Sequence, residues 1–535
     1  MTHHNLTALV GGNVWTAGYA APRTLDILIQ GDTILRVAER GELGIEASPD
    51  TAGHAPTVLD YTGKLILPGF QDAHVHASTG GLDLLTCDLS ACSSSDEVAQ
   101  AVRYYADTHP DLPWVVGGGW TRELWGDPNG PTREELDTVV PDRPAVLSPY
   151  DRHGLWLNSA ALAAAGIDAE TRDPDAGFIR RAPDSLPSGM VEESAMELVR
   201  RVMPEVKDAD LRQAILAAQD YLLSVGVTSI QDALVGTGLG MHDQHGPYCQ
   251  LLTEGLLDLR LTTALWWDPA RGIEQIEDLL ERRRVLEAAA GPDRVVADTV
   301  KMMVDGTGVL FLGEQQIREA TVALDGQGFS IHYHSYGDAT TNWVLDAIEA
   351  ARDANGFQDR HHHIAHLFVV SDADLPRFAE LGVSANLQGF WSGSAVPHEH
   401  LGCSTAIPDP QGHEYPFGQL LAAGAPLAAG SDWPVTTPDP LEAIRVAAGI
   451  HSDHGETHFV HERNRLDIAT MLTAYTAGSA HVNGRGSKTG RIAPGYLADF
   501  AVIDRSSILD ANSLRDARVV ETWIGGRLVF TRPNR

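Results

Sequence analysis

Lysine is scarce in this chain of 535 residues, which contains only Lys64, Lys207, Lys301 and Lys488. Positive charge in general is limited, because 39 basic residues face 72 acidic ones and the formal net charge is −33. A surface this negative repels nucleic-acid phosphates and anionic lipids. The charge balance therefore argues against nucleic-acid and membrane partners, and it makes any lysine within a motif conspicuous.

Cysteine and long apolar segments are also in short supply. The cysteines form no CxxC pair and are too few for a disulfide framework in a chain of this length; they are Cys87, Cys92, Cys249 and Cys403. No stretch approaches the ~20 apolar residues of a membrane span, and the N-terminal residues show no basic region followed by an apolar run. We therefore expect a cytoplasmic protein, and the sequence leaves a homo-oligomer open.

The remaining composition is that of a globular protein, with 43% hydrophobic and 21% charged residues. Single hydrophobic cores stop growing near about 250–300 residues, so one large domain and one smaller domain are expected. Alternating strands and glycine-containing turns mark both chain ends, as in LTALVGGNVWTAG and RVVETWIGGRLVF. These ends predict one β-sandwich domain, built from residues 1–68 and 486–535.

The middle of the chain alternates apolar segments with long helices rich in Ala, Leu, Glu and Arg, such as DADLRQAILAAQDYLLSVG. Strands that alternate with helices predict right-handed βαβ units around a parallel sheet. We interpret residues 69–485 as a (β/α)₈ barrel, a fold that tolerates long insertions. The stretch rich in Trp, Pro and Gly at about 85–204 is the predicted insertion.

A strand that ends in two histidines carries the strongest chemical signal. The segment LILPGFQDAHVHAS places His74 and His76 at positions i and i+2, which share one side of a strand roughly 6.6 Å apart. Two such imidazoles can converge on one ion at about 2.0–2.1 Å. A pair of structural histidines is the alternative, and the preceding PGFQDA favours the metal interpretation.

Lys301 lies in RVVADTVKMMVDG, a strand-like run whose end falls at the catalytic face of a barrel. An ordinary surface lysine is the alternative. A neutral amine there can add carbon dioxide and form a carbamate with two anionic oxygens, which suit a bridge between two metal ions. An ammonium would instead donate a hydrogen bond to a substrate carbonyl.

Clustered histidines end two further predicted strands, FSIHYHSYGD and HHHIAH. The assignment among them is ambiguous. His334 precedes a helix-entry turn and is favoured over His332, whereas His366 ends an apolar run. The triplet at His361, His362 and His363 follows a polar loop, and we predict that it is solvated.

Asp432 follows the short apolar strand in APLAAGSDWP. A lone aspartate in a turn normally caps the backbone. Its place after the series His74, His76, Lys301, His334 and His366 favours a metal site instead. These ligand types suit zinc or a similar divalent ion.

Together these motifs resemble the YtcJ-like branch of the amidohydrolase superfamily, which includes N-substituted formamide deformylases. The resemblance runs nearly end to end and rests on PGFQDAHVH, WVVGGGW, DRHGLWLNSAAL, GVTSIQDA, VKMMVDG, HHHIAH, GSDWPV and GRIAPGYLADFAV. HSYGD and HHHIAH stand where HAIGD and HRIEH are commoner. The resemblance implies a β-sandwich with a distorted barrel, and a lysine that is carboxylated in binuclear relatives.

The expected function is hydrolysis of a non-peptide amide C–N bond, in an N-substituted formamide or a related small-molecule amide, by metal-activated water. The expected cofactor is a divalent metal, with Zn²⁺ favoured and one or two ions bound. Asp432 is predicted to move the proton. A deaminase that uses the same metal site and a metal-free binding protein are the alternatives.

Two further roles are predicted from residues near the motifs. His153 is placed at the developing oxyanion, with a structural role as its alternative. We predict that Trp120, Trp156 and Trp433 contact the substrate. The alternative for these tryptophans is packing in the hydrophobic core. Such tryptophans favour an apolar or aromatic N-substituent.

Overall fold

A computed structural model describes residues 6–43, 56–126, 130–150, 153–175, 177–306, 309–393, 413–450 and 462–533. Cys403 lies outside these ranges; the described cysteines Cys87, Cys92 and Cys249 are free thiols. Among the described residues, none of the helices combines the length and apolar character needed to cross a bilayer.

The strands are, in chain order, β1 (Leu6–Val14), β2 (Arg23–Gln30), β3 (Thr33–Glu39), β4 (Thr57–Asp60), β5 (Leu65–Pro68), β6 (Phe70–Val75), β7 (Cys87–Asp88), β8 (Val115–Trp120), β9 (Ala145–Pro149), β10 (Gly154–Leu157), β11 (Gly177–Arg181), β12 (Pro187–Glu193), β13 (Val227–Val235), β14 (Arg260–Trp266), β15 (Val295–Met303), β16 (Asp305–Gly306), β17 (Val309–Leu310), β18 (Ser330–Ser335), β19 (His363–His366), β20 (Ser384–Leu387), β21 (Leu427–Ala429), β22 (Phe500–Ile503), β23 (Val519–Ile524) and β24 (Arg527–Thr531).

The α-helices are α1 (Ala77–Leu85), α2 (Ser95–Thr108), α3 (Arg133–Val139), α4 (Ser159–Ala165), α5 (Met196–Arg200), α6 (Asp208–Ser224), α7 (His245–Glu254), α8 (Ile276–Ala289), α9 (Glu314–Gly326), α10 (Asp338–Asn355), α11 (Leu375–Leu381), α12 (Phe417–Ala422), α13 (Pro440–Ala447), α14 (Ile468–Thr473), α15 (Ser479–Val482) and α16 (Ala511–Arg515).

The chain divides into two compact units. One comprises Met1–His76 together with Gln219–Arg535, and the other comprises Ala77–Ala218. The second unit covers a longer stretch of the chain than the insertion predicted at about 85–204. The boundaries between the β-sandwich and the barrel, at residues 68 and 485, stay predictions.

A parallel barrel forms the centre of the first unit. Its strands follow the order β21-β20-β19-β18-β15-β14-β13-β6, and every pair of neighbours is parallel. β13 shows why these segments become central strands, since all nine residues of VTSIQDALV are buried; parallel strands covered on both faces are typically apolar throughout. The predicted barrel is confirmed.

Strands from both chain ends share a second sheet of the first unit, as predicted. Its order is β24-β23-β22-β5-β1-β2-β3, with β4 also paired to β1. Alternate residues pack into one apolar core that includes Leu9, Ile27, Phe500 and Trp523. The period-two pattern of a half-buried strand therefore explains this sheet.

A buried ion pair joins the barrel to this sheet. Arg260, the first residue of β14, donates to the two carboxylate oxygens of Asp499 at 2.6 and 2.8 Å. Asp499 Oδ1 also accepts from the backbone N–H of Gly525. The bidentate geometry holds the start of a barrel strand against the C-terminal strands.

The second unit contains a six-stranded sheet in the order β11-β12-β10-β9-β8-β7. Its core includes Trp120 and Trp156, together with apolar residues of α2 and α3. Two capped helices support this core: Ser94 accepts from the backbone N–H of Glu97 at the start of α2, and Thr132 forms a capping box with Glu135 at α3.

Candidate metal centre

The first and last barrel strands meet through their carboxyl ends. The backbone N–H of Asp432 donates to the carbonyl of His74 at 2.7 Å, and the N–H of His76 donates to the carbonyl of Trp433 at 2.8 Å. Gly430 permits this approach, because a Cβ at that position would lie 2.5 Å from the backbone nitrogen of His74. Glycine in AAGSDWP therefore brings Asp432 to the HxH motif.

Asp72 ties the same two segments together. Its carboxylate accepts from the backbone N–H groups of His74 and Ser431, both at 3.0 Å, and from the Ser431 hydroxyl at 2.6 Å. Burial raises the pKa of Asp72 to about 7, against the lowering effect of these hydrogen bonds. The interaction holds a turn in which Asp432 adopts a φ of 56°, a left-handed conformation that aspartate tolerates better than most residues.

Two imidazoles and one carboxylate converge at this point. Asp432 Oδ1 lies 3.2 Å from His74 Nε2 and 3.3 Å from His76 Nε2. One ligand atom from each of the three residues falls within 4.8 Å of the others, and all three side chains are buried. Nitrogen and carboxylate donors in this number match the three protein ligands of many catalytic zinc sites, so these residues fit a zinc-like ion.

The charges of these groups favour the forms that bind metal. Burial, reinforced by the charge of Lys301, lowers the pKa of His74 to about 3. Burial alone would raise the pKa of Asp432, but His74 and His76 hold it well below its ordinary range. A neutral imidazole and an ionised carboxylate are the ligand forms.

His334 and His366 extend the cluster. Their ring centroids are 4.3 Å apart, and the ring of His366 lies 4.8 Å from that of His74. His334 Nδ1 lies 3.4 Å from a carboxylate oxygen of Asp305. The Nδ1 atoms of His76 and His366 are buried with no hydrogen-bond partner among the described residues, which leaves polar atoms for an ion or water to satisfy.

Lys301 is buried beside the cluster, with 2% of its surface exposed. Burial lowers its pKa to about 8, against the opposing charges of Asp432 and Asp232. The neutral amine that carbamate formation requires is therefore more populated near neutral pH than in an ordinary lysine. The structure thus brings all six predicted metal residues to one end of the barrel, with His74, His76 and Asp432 in ligand geometry.

A buried hydrogen-bonded chain reaches the cluster through Gln231, which the sequence did not single out, and through His332 and His363, which it did not favour as ligands. Gln231 of β13 donates from Nε2 towards Asn483 Oδ1 at 3.4 Å, so its Oε1 faces the imidazoles of His332 and His363. His332 Nε2 lies 2.9 Å from His74 Nδ1. If His332 donates from Nδ1 to Gln231, its Nε2 must accept from His74, and the lone pair of His74 Nε2 then points at Asp432.

The prediction that the HHH triplet is solvated was wrong for two of its residues. His363 is fully buried because it begins β19 and faces Gln231 inside the barrel. His362 is buried on the other side of the strand, where its ring contacts Asp325 at 3.3 Å and accepts from the N–H of Ile331. β19 therefore begins inside the triplet, at His363, and not after it.

The remaining predicted site residues lie in different places. Trp433 is buried in the first unit and packs edge-on against Tyr221 at 5.5 Å. Trp120 and Trp156 are buried in the core of the second unit, where both indole N–H groups donate to backbone carbonyls. His153 is half-exposed and its Nδ1 lies 2.9 Å from Glu193. The packing of Trp120 and Trp156 agrees with the core alternative, and their substrate role, like the role of His153, stays a prediction.

An aromatic wall borders the cluster in the first unit. The indole of Trp391 stacks on His366 with centroids 4.9 Å apart and planes inclined by 14°. Tyr336 lies 4.5 Å from His334 and 6.0 Å from Trp391, measured between ring centroids. Flat apolar surface therefore adjoins the imidazoles.

A parallel barrel with buried imidazoles and a carboxylate at the carboxyl ends of its strands belongs to the class of barrel enzymes whose active sites occupy that end. Comparison with known families makes the class specific. The sequence profile of the amidohydrolase family matches residues 57–530, and the chain belongs to this family of hydrolases. The predicted membership is confirmed.

Named relatives span nearly the whole chain. The putative amidohydrolase YtcJ of Bacillus subtilis is 27% identical over 98% of this chain and 99% of its own length. The N-substituted formamide deformylase of Arthrobacter pascens is 26% identical over 99% of both. The protein LONG AFTER FAR-RED 3 of Arabidopsis thaliana is 27% identical over 98% of this chain and 91% of its own.

Solved structures share the fold. An uncharacterised metal-dependent hydrolase from Pyrococcus furiosus superposes with a TM-score of 0.68 at 23% identity, covering 94% of this chain and 99% of that one. The zinc complex of the atrazine chlorohydrolase TrzN from Arthrobacter aurescens TC1 gives 0.54 at 16% identity, over 98% and 95% of the two chains.

Proposed function

We propose that this protein is a metal-dependent hydrolase that cleaves the amide C–N bond of N-substituted formamides or related small amides. The observation that carries the proposal is the buried cluster of His74, His76 and Asp432 at the carboxyl end of the barrel. Its relative from Arthrobacter pascens is an N-substituted formamide deformylase, which supports the choice of substrate class.

The proposed metal ligands are His74, His76, Lys301, His334, His366 and Asp432. When bound, a zinc-like ion supplies an activated water and polarises the substrate carbonyl. His74 and His76 present neutral nitrogens, and Lys301 in its carbamate form adds two anionic oxygens. Carbamate formation joins the Lys301 nitrogen to the carbon of carbon dioxide and releases one proton.

Asp432 performs the proton transfers in this proposal. The low pKa of its carboxyl keeps Oδ1 ionised, so it can accept a proton from the attacking water and return it to the leaving amine. The products are a carboxylic acid, formate for a formamide, and the free amine. His153 is retained as an oxyanion contact to be tested by substitution.

The aromatic wall sets the proposed preference among amides. Trp391 and Tyr336 place aromatic rings beside His366 and His334, and Trp433 lies next to Asp432 in the chain. Such surfaces bind an apolar or aromatic N-substituent better than a polar base edge. We place the activity in the cytoplasm, as the sparse free cysteines support.

A substrate panel tests the proposal. The zinc-loaded enzyme is offered an arylalkyl formamide, an alkyl formamide, the matching acetamide and two nucleobases, and amine, carboxylate and ammonia are followed separately. We expect the enzyme to release amine and formate from the formamides. This activity should be lost when a chelator removes the metal and should return when zinc is added. Ammonia from a base without amide cleavage would instead identify a deaminase.

Metal analysis tests the ligands directly. His74→Ala and His76→Ala should each retain less zinc than wild type while keeping the circular dichroism spectrum, because the barrel core does not depend on those imidazoles. His109→Ala, an exposed histidine that contacts Tyr105, is the matched control. Equal zinc in all four proteins would contradict the ligand assignment.

A further inference from the structure

A second group of side chains with metal-ligand atoms, Asp359, His361 and His481, lies near the amino end of β19. Asp359 and His361 precede β19, whereas His366 ends that strand. His481 lies in α15. One ligand atom from each of these three residues falls within 4.8 Å of the others.

The two imidazoles of this group face each other. The rings of His361 and His481 have centroids 4.3 Å apart at an angle of 57°, and His481 Nε2 lies 3.9 Å from Asp359 Oδ1. His361 Nδ1 is buried and has no hydrogen-bond partner among the described residues. A buried imidazole nitrogen without a partner is uncommon in a folded protein.

The backbone holds His361 in this orientation. Its φ is 61°, a left-handed conformation that is uncommon for a residue other than glycine. Its carbonyl accepts from the Ser330 hydroxyl at 3.0 Å and from His363 Nδ1 at 2.8 Å. The surrounding structure therefore fixes a strained residue that presents its ring to His481.

We propose that Asp359, His361 and His481 bind a structural zinc ion that is separate from the catalytic centre. Two imidazole nitrogens and one carboxylate oxygen are donors that zinc prefers, and a water completes four ligands. Ligand atoms around a tetrahedral zinc lie about 3.3–3.5 Å apart, given bonds of about 2.0–2.1 Å. The exposed Asp359 side chain can close the remaining distance by rotation.

One further carboxyl lies near this group. Burial raises the pKa of Asp298 in β15, and the charges of Arg283 and His361 oppose that rise. Burial and the nearby His361 lower the pKa of His481, which favours the neutral ring that a metal requires. The ion would join the segment before β19 to α15, two parts of the chain that are distant in sequence.

Zinc stoichiometry tests this site. Wild type, His361→Asn, His481→Ala and the control His109→Ala are loaded with zinc, passed into metal-free buffer and analysed for bound metal. Asn is used at residue 361 because it tolerates a positive φ. We expect both cluster variants to hold one zinc equivalent fewer than wild type and control.

Two further measurements keep the test decisive. Cobalt should give a tetrahedral absorption band in His76→Ala that is lost in His76→Ala/His481→Ala, since the first variant lacks a proposed catalytic ligand. Asp359→Asn, at an exposed position, replaces His361→Asn if that variant does not fold.

Equal zinc content in wild type and all cluster variants overturns the proposal. The proposal is also overturned if wild type binds the additional zinc only when zinc is present at millimolar concentrations. Absence of amide hydrolysis would leave the zinc difference intact, so failure of this proposal and failure of the proposed function are distinguishable.

Discussion

Removing the imidazole of His332 should weaken metal binding although His332 is not a proposed ligand. When His332 donates from Nδ1 to Gln231, its Nε2, which lies 2.9 Å from His74 Nδ1, accepts from that atom, and the lone pair of His74 Nε2 is then directed at Asp432. His332→Phe keeps a ring of similar size but can neither accept from His74 nor donate to Gln231. His74 would then lose both its fixed tautomer and its fixed ring orientation.

The size of the effect follows from burial. His332 and His74 are 0% and 1% exposed, so water cannot replace the lost acceptor. An unsatisfied buried donor costs about 1–3 kcal/mol, and loss of a group that orients a metal-binding histidine typically weakens metal affinity by about 10–100-fold. The substitution removes the hydrogen bond from the metal-free protein as well. The melting temperature of the apoprotein therefore measures how much of the cost is a loss of fold stability that does not depend on metal.

The conservative variant His332→Gln separates orientation from packing. A glutamine amide can donate to Gln231 Oε1 and accept from His74 at the same time, so zinc affinity should recover to within a few-fold of wild type. His363→Phe is the matched control, because it removes a buried imidazole from the same glutamine but leaves the partner of His74 in place. Zinc dissociation constants are measured by competition with a chromophoric chelator.

Two results would refute this reasoning. Wild-type zinc affinity in His332→Phe would show that the hydrogen bond to His74 does not direct its lone pair. Equal losses in His332→Gln and His332→Phe, with no recovery by the amide, would instead make His332 a ligand in its own right.

Three other perturbations have defined outcomes. Asp432→Asn should retain zinc yet lower kcat by about 10²–10⁴-fold, because an amide cannot take the water proton; steady-state kinetics with parallel metal analysis checks this, and near wild-type kcat removes Asp432 from that role. Lys301→Ala should lose activity that short-chain carboxylic acids partly restore, and density for a bare ammonium beside a fully occupied single metal would refute the carbamate. Arg260→Ala leaves the buried Asp499 carboxylate without its ion-pair partner, and it should lower the free energy of unfolding by about 3–5 kcal/mol in urea titrations. Arg527→Ala, which breaks an exposed pair, should cost less than about 1 kcal/mol, and equal losses would contradict the argument.

The sequence alone predicted the barrel and the end at which the candidate ligands meet, because both depend on topology. Parallel strands place their carboxyl ends on one face, so motifs as distant as His74 and Asp432 could be expected to meet there. The short contact between them also required Gly430, whose missing Cβ lets the last strand approach His74. That glycine is visible in AAGSDWP, but its purpose depends on a neighbour more than 300 residues away.

The roles of His332 and His334 could not be separated by pattern, and the reason is geometric. Both residues lie on the same side of β18, so alternation gives them equal access to the barrel interior. Strand register decides which one reaches His74: Lys301 pairs with His332, whereas Met303 pairs with His334, two residues nearer the carboxyl end. His332 therefore lies deeper in the barrel than His334, where it can orient His74, whereas the ring of His334 lies 4.3 Å from that of His366. A sequence motif records the order of such residues along a strand, whereas their depth in the barrel is set by the register between strands.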